Sequence, residues 1–332
     1  MDLEQLITSC AKFLSLDSID ARIFCEMAFM DPTYEEFDER HPSAADLGRK
    51  LGLDTKTVRV RVNRMEDSGF IKYYQATPNL ALFGMHVISL FRFEALNLST
   101  KNAIVNHLHG VPRLVEATDY LGPFLTGSMA GSTREEARNG ADYLASRYEL
   151  GTVALGSRAI KGPVSRIDNL DWHIIRGLRY DARSSDKDLA EALSVTQRMV
   201  GYRVSKLLRS GAIRTKAVID PQKQAGLVFY ELELAIDPER RGAISRWLKE
   251  KHGNRLWNLN SPMADIILAS LFCFTIAEPE ESVIEALKLE GVRRCLLFIL
   301  KEVIEPKRPN WIDSLIESRL QSPDTEAKPV KG

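Results

Sequence analysis

Two short runs of side chains in this 332-residue sequence have the chemistry to hold a nucleic acid. One contains Lys56, Thr57, Arg59, Val60, Arg61 and Arg64, and the other Gln197, Arg198, Tyr202, Arg203 and Lys206. Lysine and arginine neutralise phosphates and release counterions, while arginine, glutamine, threonine and apolar tips can meet base edges in a groove. Across the whole chain 45 basic residues balance 45 acidic ones, which by itself argues against a protein that coats nucleic acid. The distribution says otherwise, because stretch 43–84 carries a net +3 and stretch 185–226 a net +4. Positive charge is concentrated around the two runs.

A helix must present each run. Val58, Val62 and Met65 fall at i, i+4 and i+7, so they share a buried face. Lys56, Thr57, Val60, Asn63 and Arg64 then face outward, with Arg59 and Arg61 on the flanks. In the second run Thr196 takes the cap position and Val200, Val204 and Leu207 form the buried stripe. Arg198, Met199, Tyr202, Ser205 and Lys206 face outward, with Arg203 flanking. Gly201 interrupts this helix at a cost on the order of 1 kcal/mol in propensity.

These helices belong to an internal repeat. Shifting the sequence by 142 residues aligns 43–84 with 185–226 without a gap, pairing Leu47 with Leu189, Arg61 with Arg203, Gly69 with Gly211 and Gly84 with Gly226. Each copy reads as two short helices joined by a tight turn and followed by a hairpin, with stretches 70–77 and 212–219 forming the wing. A solvated charged face on an ordinary helix pair is the plainer reading, and two matched copies weigh against it. An earlier helix precedes each copy, over 17–30 and 168–178, pairing Asp17 with Asp168 and Asp20 with Asp171 at an offset of 151. The first half therefore carries nine extra residues, in the acidic loop DPTYEEFDERH at 31–41, whose charge suits it poorly to phosphates.

The residues from 167 to 226, IDNLDWHIIRGLRYDARSSDKDLAEAL and SVTQRMVGYRVSKLLRSGAIRTKAVIDP, and more loosely those from 16 to 84, resemble the Lrp/AsnC family of transcriptional regulators. The resemblance implies a winged helix-turn-helix followed by a ferredoxin-like α/β domain, here in tandem. It also implies double-stranded DNA as partner and association into a homodimer or larger homo-oligomer. The pattern between the repeats agrees: strand, helix, strand, strand, helix, strand over 86–160 and again over 227–304, a βαββαβ order. The chain therefore divides into an N-terminal helix and first winged unit at 1–84, a ferredoxin-like domain at 85–163, a second winged unit at 164–226, a second ferredoxin-like domain with a C-terminal helix at 227–321, and an unstructured tail at 322–332. The fold class is α+β. Apolar stripes over 3–14 and 311–320 have no place in the basic family fold and are expected to support dimerisation.

In the family a small-molecule site, for an effector such as an amino acid, lies around the turn between the second and third strands of the α/β domain. Asp119 and Asp265 are the carboxylates near that turn. The chain departs from the family pattern, since DYLGPFLTG places Asp119 early and NSPMADIILA offers only Asp265, which equally suits a turn cap or a solvated position.

Enzymatic chemistry finds little support. There is no phosphate-binding G-x-x-x-x-G-K-[ST] loop, no H-E-x-x-H and no metal-ligand spacing, so neither metal nor cofactor is expected. His107 and His109, two apart near a helix end, face different sides. The four cysteines, Cys10, Cys25, Cys273 and Cys295, are scattered and read as buried free thiols of a reducing cytoplasm. No stretch is long and apolar enough to span a bilayer. The enzymatic alternative is siroheme decarboxylase, which resembles Lrp/AsnC proteins and can occur as a fused two-half chain. Its basic and histidine-containing motifs after the wing are poorly matched here, where the second such stretch, PQKQAGLVFYELEL, has neither histidine nor arginine. A non-DNA-binding scaffold is the remaining alternative, and it would not need to keep the basic helix faces.

Overall fold

The computed structural model describes residues 14–28 and 42–321. Helix α1 (Ser18–Ala28) starts at Asp17, whose carboxylate accepts from the backbone N–H of Ile19 and Asp20 at 2.8 and 2.9 Å. Helix α2 (Ala44–Leu51) opens with a capping box between Ser43 and Asp46 and stops at Gly52, whose φ of 67° is the left-handed turn that glycine adopts without strain. Helix α3 (Thr55–Asp67) follows at once, and then strand β1 (Ile71–Pro78). The first α/β half comprises β2 (Val87–Glu94), α4 (Leu98–Leu108), β3 (Leu114–Tyr120), β4 (Phe124–Gly131), α5 (Arg134–Tyr148) and β5 (Gly151–Ala159).

The second half repeats the series with α6 (Asn169–Leu178), α7 (Asp186–Leu193), α8 (Gln197–Arg209) and β6 (Ile213–Ile219). Its α/β part is β7 (Val228–Ile236), α9 (Arg241–His252), β8 (Leu256–Met263), β9 (Ile266–Cys273), α10 (Glu278–Ala286) and β10 (Val292–Ile304). Helix α11 (Trp311–Gln321) closes the described chain. The fold is thus a tandem α+β repeat of a winged helix-turn-helix and a ferredoxin-like βαββαβ unit.

All eight α/β strands share one sheet, in the order β8-β9-β7-β10-β3-β4-β2-β5. Strand β10, 13 residues long, outruns its partner β7 and uses Leu300 to Ile304 to pair with β3, which joins the halves. At the other end β5 and β8 approach so closely that a methyl on Gly156 would lie 2.4 Å from the Pro262 carbonyl oxygen. The strands therefore curl into an almost closed ring. Helices α4 and α5 cover the outside of the first half over Phe91, Phe93, Ile104, Leu108 and Leu144. Helices α9 and α10 cover the second over Leu232, Leu234, Ile244, Leu248 and Ala286.

Two expectations are corrected. Neither winged unit forms its own hairpin. Strand β1 pairs antiparallel with β6, Tyr74 opposite Ala217 and Ala76 opposite Thr215, so each copy supplies one strand and the partner comes from the other copy. The physical reason is local: after β1 the chain makes a single turn of 3-10 helix over Leu80–Phe83 and enters β2, leaving no segment to turn back. The C-terminal helix, expected to lack a place in the fold, has one. Ile312 and Ile316 of α11 are buried in the winged-unit core, Trp311 Nε1 donates to the Leu114 carbonyl at 2.8 Å, and Arg319 donates to the Leu82 carbonyl at 2.8 Å. The expected helix at 3–14 (all but Leu14), the acidic loop at 31–41 and the tail at 322–332 lie outside the described residues.

Candidate nucleic-acid interface

The two candidate recognition helices are α3 and α8. Asp54 caps α3, accepting from the N–H of Lys56 at 2.8 Å and Thr57 at 3.3 Å, and Thr196 Oγ1 caps α8 by accepting from Met199 N–H at 3.2 Å. Val58, Val62 and Met65 are buried under α3, and Val200, Val204, Leu207 and Leu208 under α8. The helical spacing then leaves Lys56, Thr57, Arg59, Val60 and Asn63 exposed on α3, and Gln197, Arg198, Met199, Tyr202 and Ser205 exposed on α8. Among the described residues no carboxylate pairs with Lys56, Arg59 or Arg198. Val60 and Tyr202 are 59% and 64% exposed, an arrangement that costs free energy in water unless a partner covers it.

The remaining cations of the two runs have carboxylate partners within the chain, although Arg64 stays exposed. Arg61 donates to Asp17 and to Asp20, both at 2.8 Å, and Arg64 also pairs with Asp20. In the second unit Arg203 pairs with Asp168 and, at 3.0 Å, with Asp171, while Lys206 reaches Asp171 at 3.3 Å and the Arg166 carbonyl at 2.9 Å. Asp20 and Asp171 are completely buried. Burial pulls the half-exposed Asp17 upward, but the Asp20 N–H and the Arg61 guanidinium outweigh it and hold the carboxyl below its usual value. Asp168 is held low in the same way by Arg203 and the Asp171 N–H against the pull of burial. Each unit thus contains a clamp in which two carboxylates of its first helix hold two cations of its third.

This clamp was visible as a pattern without being readable as a contact: Asp17 and Asp20 recur as Asp168 and Asp171, and Arg61 and Arg64 recur as Arg203 and Lys206. At Gly201 in the same unit a methyl would lie 2.7 Å from Asp186 Oδ2, the end of a half-exposed side chain that can turn away.

The two units are fastened into one body. Besides the β1–β6 ladder, Arg183 of the second unit pairs with Glu66 of the first and lies 4.6 Å from the centre of the Tyr74 ring. Arg179 donates to the Ala76 carbonyl of the first unit at 3.2 Å, and Arg308 stacks between Tyr73 and Tyr180. The first winged unit also sits on the second α/β half, where Phe24 meets Phe229 and Phe272 at ring distances of 5.7 and 5.8 Å.

The effector carboxylates are engaged within the chain. Asp119 is completely buried between Lys101 at 2.5 Å and Lys301 at 2.8 Å, and Asp265 pairs with Arg293 at 3.5 Å. Burial pushes the Cys273 and Cys295 thiols up to about 11, and that of Cys25 higher still, which leaves them protonated at neutral pH. Burial lowers His252 to about 4, so it is neutral. Among the described residues no group of three or more histidine, cysteine or carboxylate side chains could hold a metal.

Comparison with known proteins places this geometry. Residues 167–208 match the AsnC-type helix-turn-helix domain and residues 38–72 the winged helix-turn-helix DNA-binding family. An uncharacterized HTH-type transcriptional regulator of Pyrococcus furiosus is 27% identical over 139 residues, 41% of this chain and 93% of that protein. Among solved structures, the siroheme decarboxylase NirDL aligns with a TM-score of 0.53 at 11% identity, over 92% of this chain and 99% of its own, a likeness of fold alone. A Pyrococcus furiosus member of the AsnC family aligns with a TM-score of 0.32 at 18% identity, over 45% of this chain and 97% of its own.

Proposed function

From a chain of Lrp/AsnC type with two winged helix-turn-helix units, we propose a sequence-specific DNA-binding transcriptional regulator that reads DNA with two unlike helices of one polypeptide. The observation that carries this reading is the β1–β6 ladder, which holds α3 and α8 in one body so that a single chain presents the pair of readers a homodimer would otherwise supply. The readers differ in chemistry. On α3 the exposed groups are Lys56, Thr57, Arg59, Val60 and Asn63, rich in donors for phosphate oxygens and purine edges. On α8 they are Gln197, Arg198, Met199, Tyr202 and Ser205, whose apolar reach suits the thymine methyl group. Arg61, Arg64, Arg203 and Lys206 act mainly by fixing the angle of the two helices.

The reading includes a cytoplasmic location, in line with a DNA target, and among the described residues no helix is long and apolar enough to cross a membrane. It includes association of chains into at least a homodimer, for which the exposed Leu96, Leu98 and Leu121 are an available surface, since Lys101 ties α4 to the β3–β4 turn and so gathers all three. It assigns no effector, because Lys101 and Lys301 already neutralise Asp119. It assigns no enzymatic activity. Arg92, Glu233, Tyr120, Phe124 and Phe298 pack on one another where the two halves join.

Selection of binding sites from random DNA tests the proposal. Sites made of two unlike half-sites are expected, and Arg198→Ala should weaken dependence on one of them only. A single palindrome with equal half-sites, bound equally well by the Arg198→Ala variant, would refute reading by both helices.

A further inference from the structure

The inner faces of the two α/β halves meet at a residue pair whose positions are equivalent. Arg92 is the sixth residue of β2 and Glu233 the sixth of β7, each strand being the first of its half. On either side of them Phe91 and Phe93, and Leu232 and Leu234, point to the helices of their own half, so Arg92 and Glu233 point to the other half. Both are buried and they form an ion pair. The Arg92 guanidinium also lies 6.0 and 5.7 Å from the Phe124 and Phe298 ring centres, and Arg294 stands 3.5 Å from Glu233.

A residue near a two-fold axis meets its own counterpart. If two copies of the first half paired in this way, Arg92 would be buried against Arg92; two copies of the second half would bury Glu233 against Glu233. Like charges in a buried contact repel strongly, whereas Arg92 and Glu233 attract. We propose that this pair is an address: it directs the first α/β half onto the second and blocks pairing of like halves between chains. Heterotypic pairing, within a chain or reciprocally between two chains, is the arrangement that gives Arg92 a carboxylate and gives Glu233 a buried cation besides the half-exposed Arg294. Where the two halves of one chain pair with each other, as they do here, association of chains must use another surface.

Charge reversal tests the address without reference to DNA. In Arg92→Glu both inner positions are acidic, and in Glu233→Arg both are basic, so neither variant has a matching half to pair with, and each should lose roughly 5–10 °C from its thermal midpoint. An equimolar mixture of the two, unfolded and refolded together, contains complementary halves on different chains. It should recover a midpoint above that of either variant alone, in a species containing both chains. The double reversal R92E/E233R restores attraction within one chain and should also melt above either single variant, Arg294 being exposed enough to swing away from the new arginine. The proposal is overturned if the single variants melt like the unaltered protein, if the mixture melts no higher than its better component, or if the double variant fails to improve on the singles.

Discussion

Replacing Arg59, Arg61 and Arg64 one at a time separates phosphate contact from helix anchorage. Arg59 is exposed and has no carboxylate partner among the described residues, so on the bound helix it is free to neutralise a phosphate. Its loss in Arg59→Ala should flatten the plot of log affinity against log salt by about 0.9, the contribution of one contact, and leave stability within about 0.5 kcal/mol. Arg61 is different. Its side chain is 22% exposed and its donors are spent on Asp17 and on Asp20, which has no exposure at all. Breaking a buried pair from one side costs about 3–5 kcal/mol, and because Arg64 still partners Asp20 and Arg61 is partly solvated, about 2–3 kcal/mol is expected for Arg61→Met. That corresponds to a fall in melting midpoint of roughly 4–6 °C. Its salt slope, measured by fluorescence anisotropy between low and physiological salt at a temperature where the variant is folded, should not change. Replacing all three arginines should therefore lower the slope by about one unit and not by three. If Arg61→Met lowers the slope by a full unit and melts with the unaltered protein, Arg61 faces the phosphates and the clamp is misread.

Further outcomes follow from the same geometry. Arg203→Met should repeat the Arg61 result in the second unit, with a midpoint loss and an unchanged slope; loss of slope alone would contradict the symmetry of the two clamps. Replacing thymine by uracil in the half-site read by α8 removes the methyl groups facing Met199 and Tyr202 and should weaken binding by about 1 kcal/mol per lost contact, with a smaller effect in the other half-site; equal losses in both would show that the two readers do not differ as argued. Burial, against hydrogen bonds from Tyr120 and Ser270 and with Glu233 and Glu116 nearby, pushes Glu231 up to about 7 from 4.5. The folded state therefore holds a proton that the unfolded state has released, so this group's contribution to stability is complete below about pH 4.5 and falls as pH rises to about 7, by roughly 3 kcal/mol. Glu231→Gln should remove that slope from the urea midpoint measured across pH 5–8, and an unaltered profile would contradict it. Light scattering at micromolar concentration should report more than the 37.4 kDa of one chain, and Leu98→Glu together with Leu121→Glu should return it to that mass; a strict monomer before substitution counts against chain association.

The helices, the repeat and the strand order were legible in the sequence because each rests on local periodicity. Val58, Val62 and Met65 can share a buried face only on a helix, and the turn of φ 67° at Gly52 is one that glycine adopts without penalty. The outward positions of Lys56, Arg59, Arg198 and Tyr202 follow from the same 3.6-residue period. What lies opposite a residue is another matter, since it depends on segments far away along the chain. Strand β1 has the alternation of a wing, but nothing in residues 71–78 says that its partner lies at 213–219 and not in the next few residues. Arg61 and Arg64 have the composition of phosphate contacts, and only the packing of α1 against α3 gives both a carboxylate partner, Asp20, 41 and 44 residues away in sequence, with Arg61 largely covered and Arg64 still exposed. Asp119 carries the charge expected of an effector ligand, yet tertiary structure brings it Lys301 from the far end of the chain. Arg92 and Glu233 show no mutual signal at a separation of 141 residues, although each is an unusual charge in an apolar strand. Such a charge is stable in the interior only if a partner meets it there, so the sequence could indicate that a partner was needed and the fold alone could supply which one.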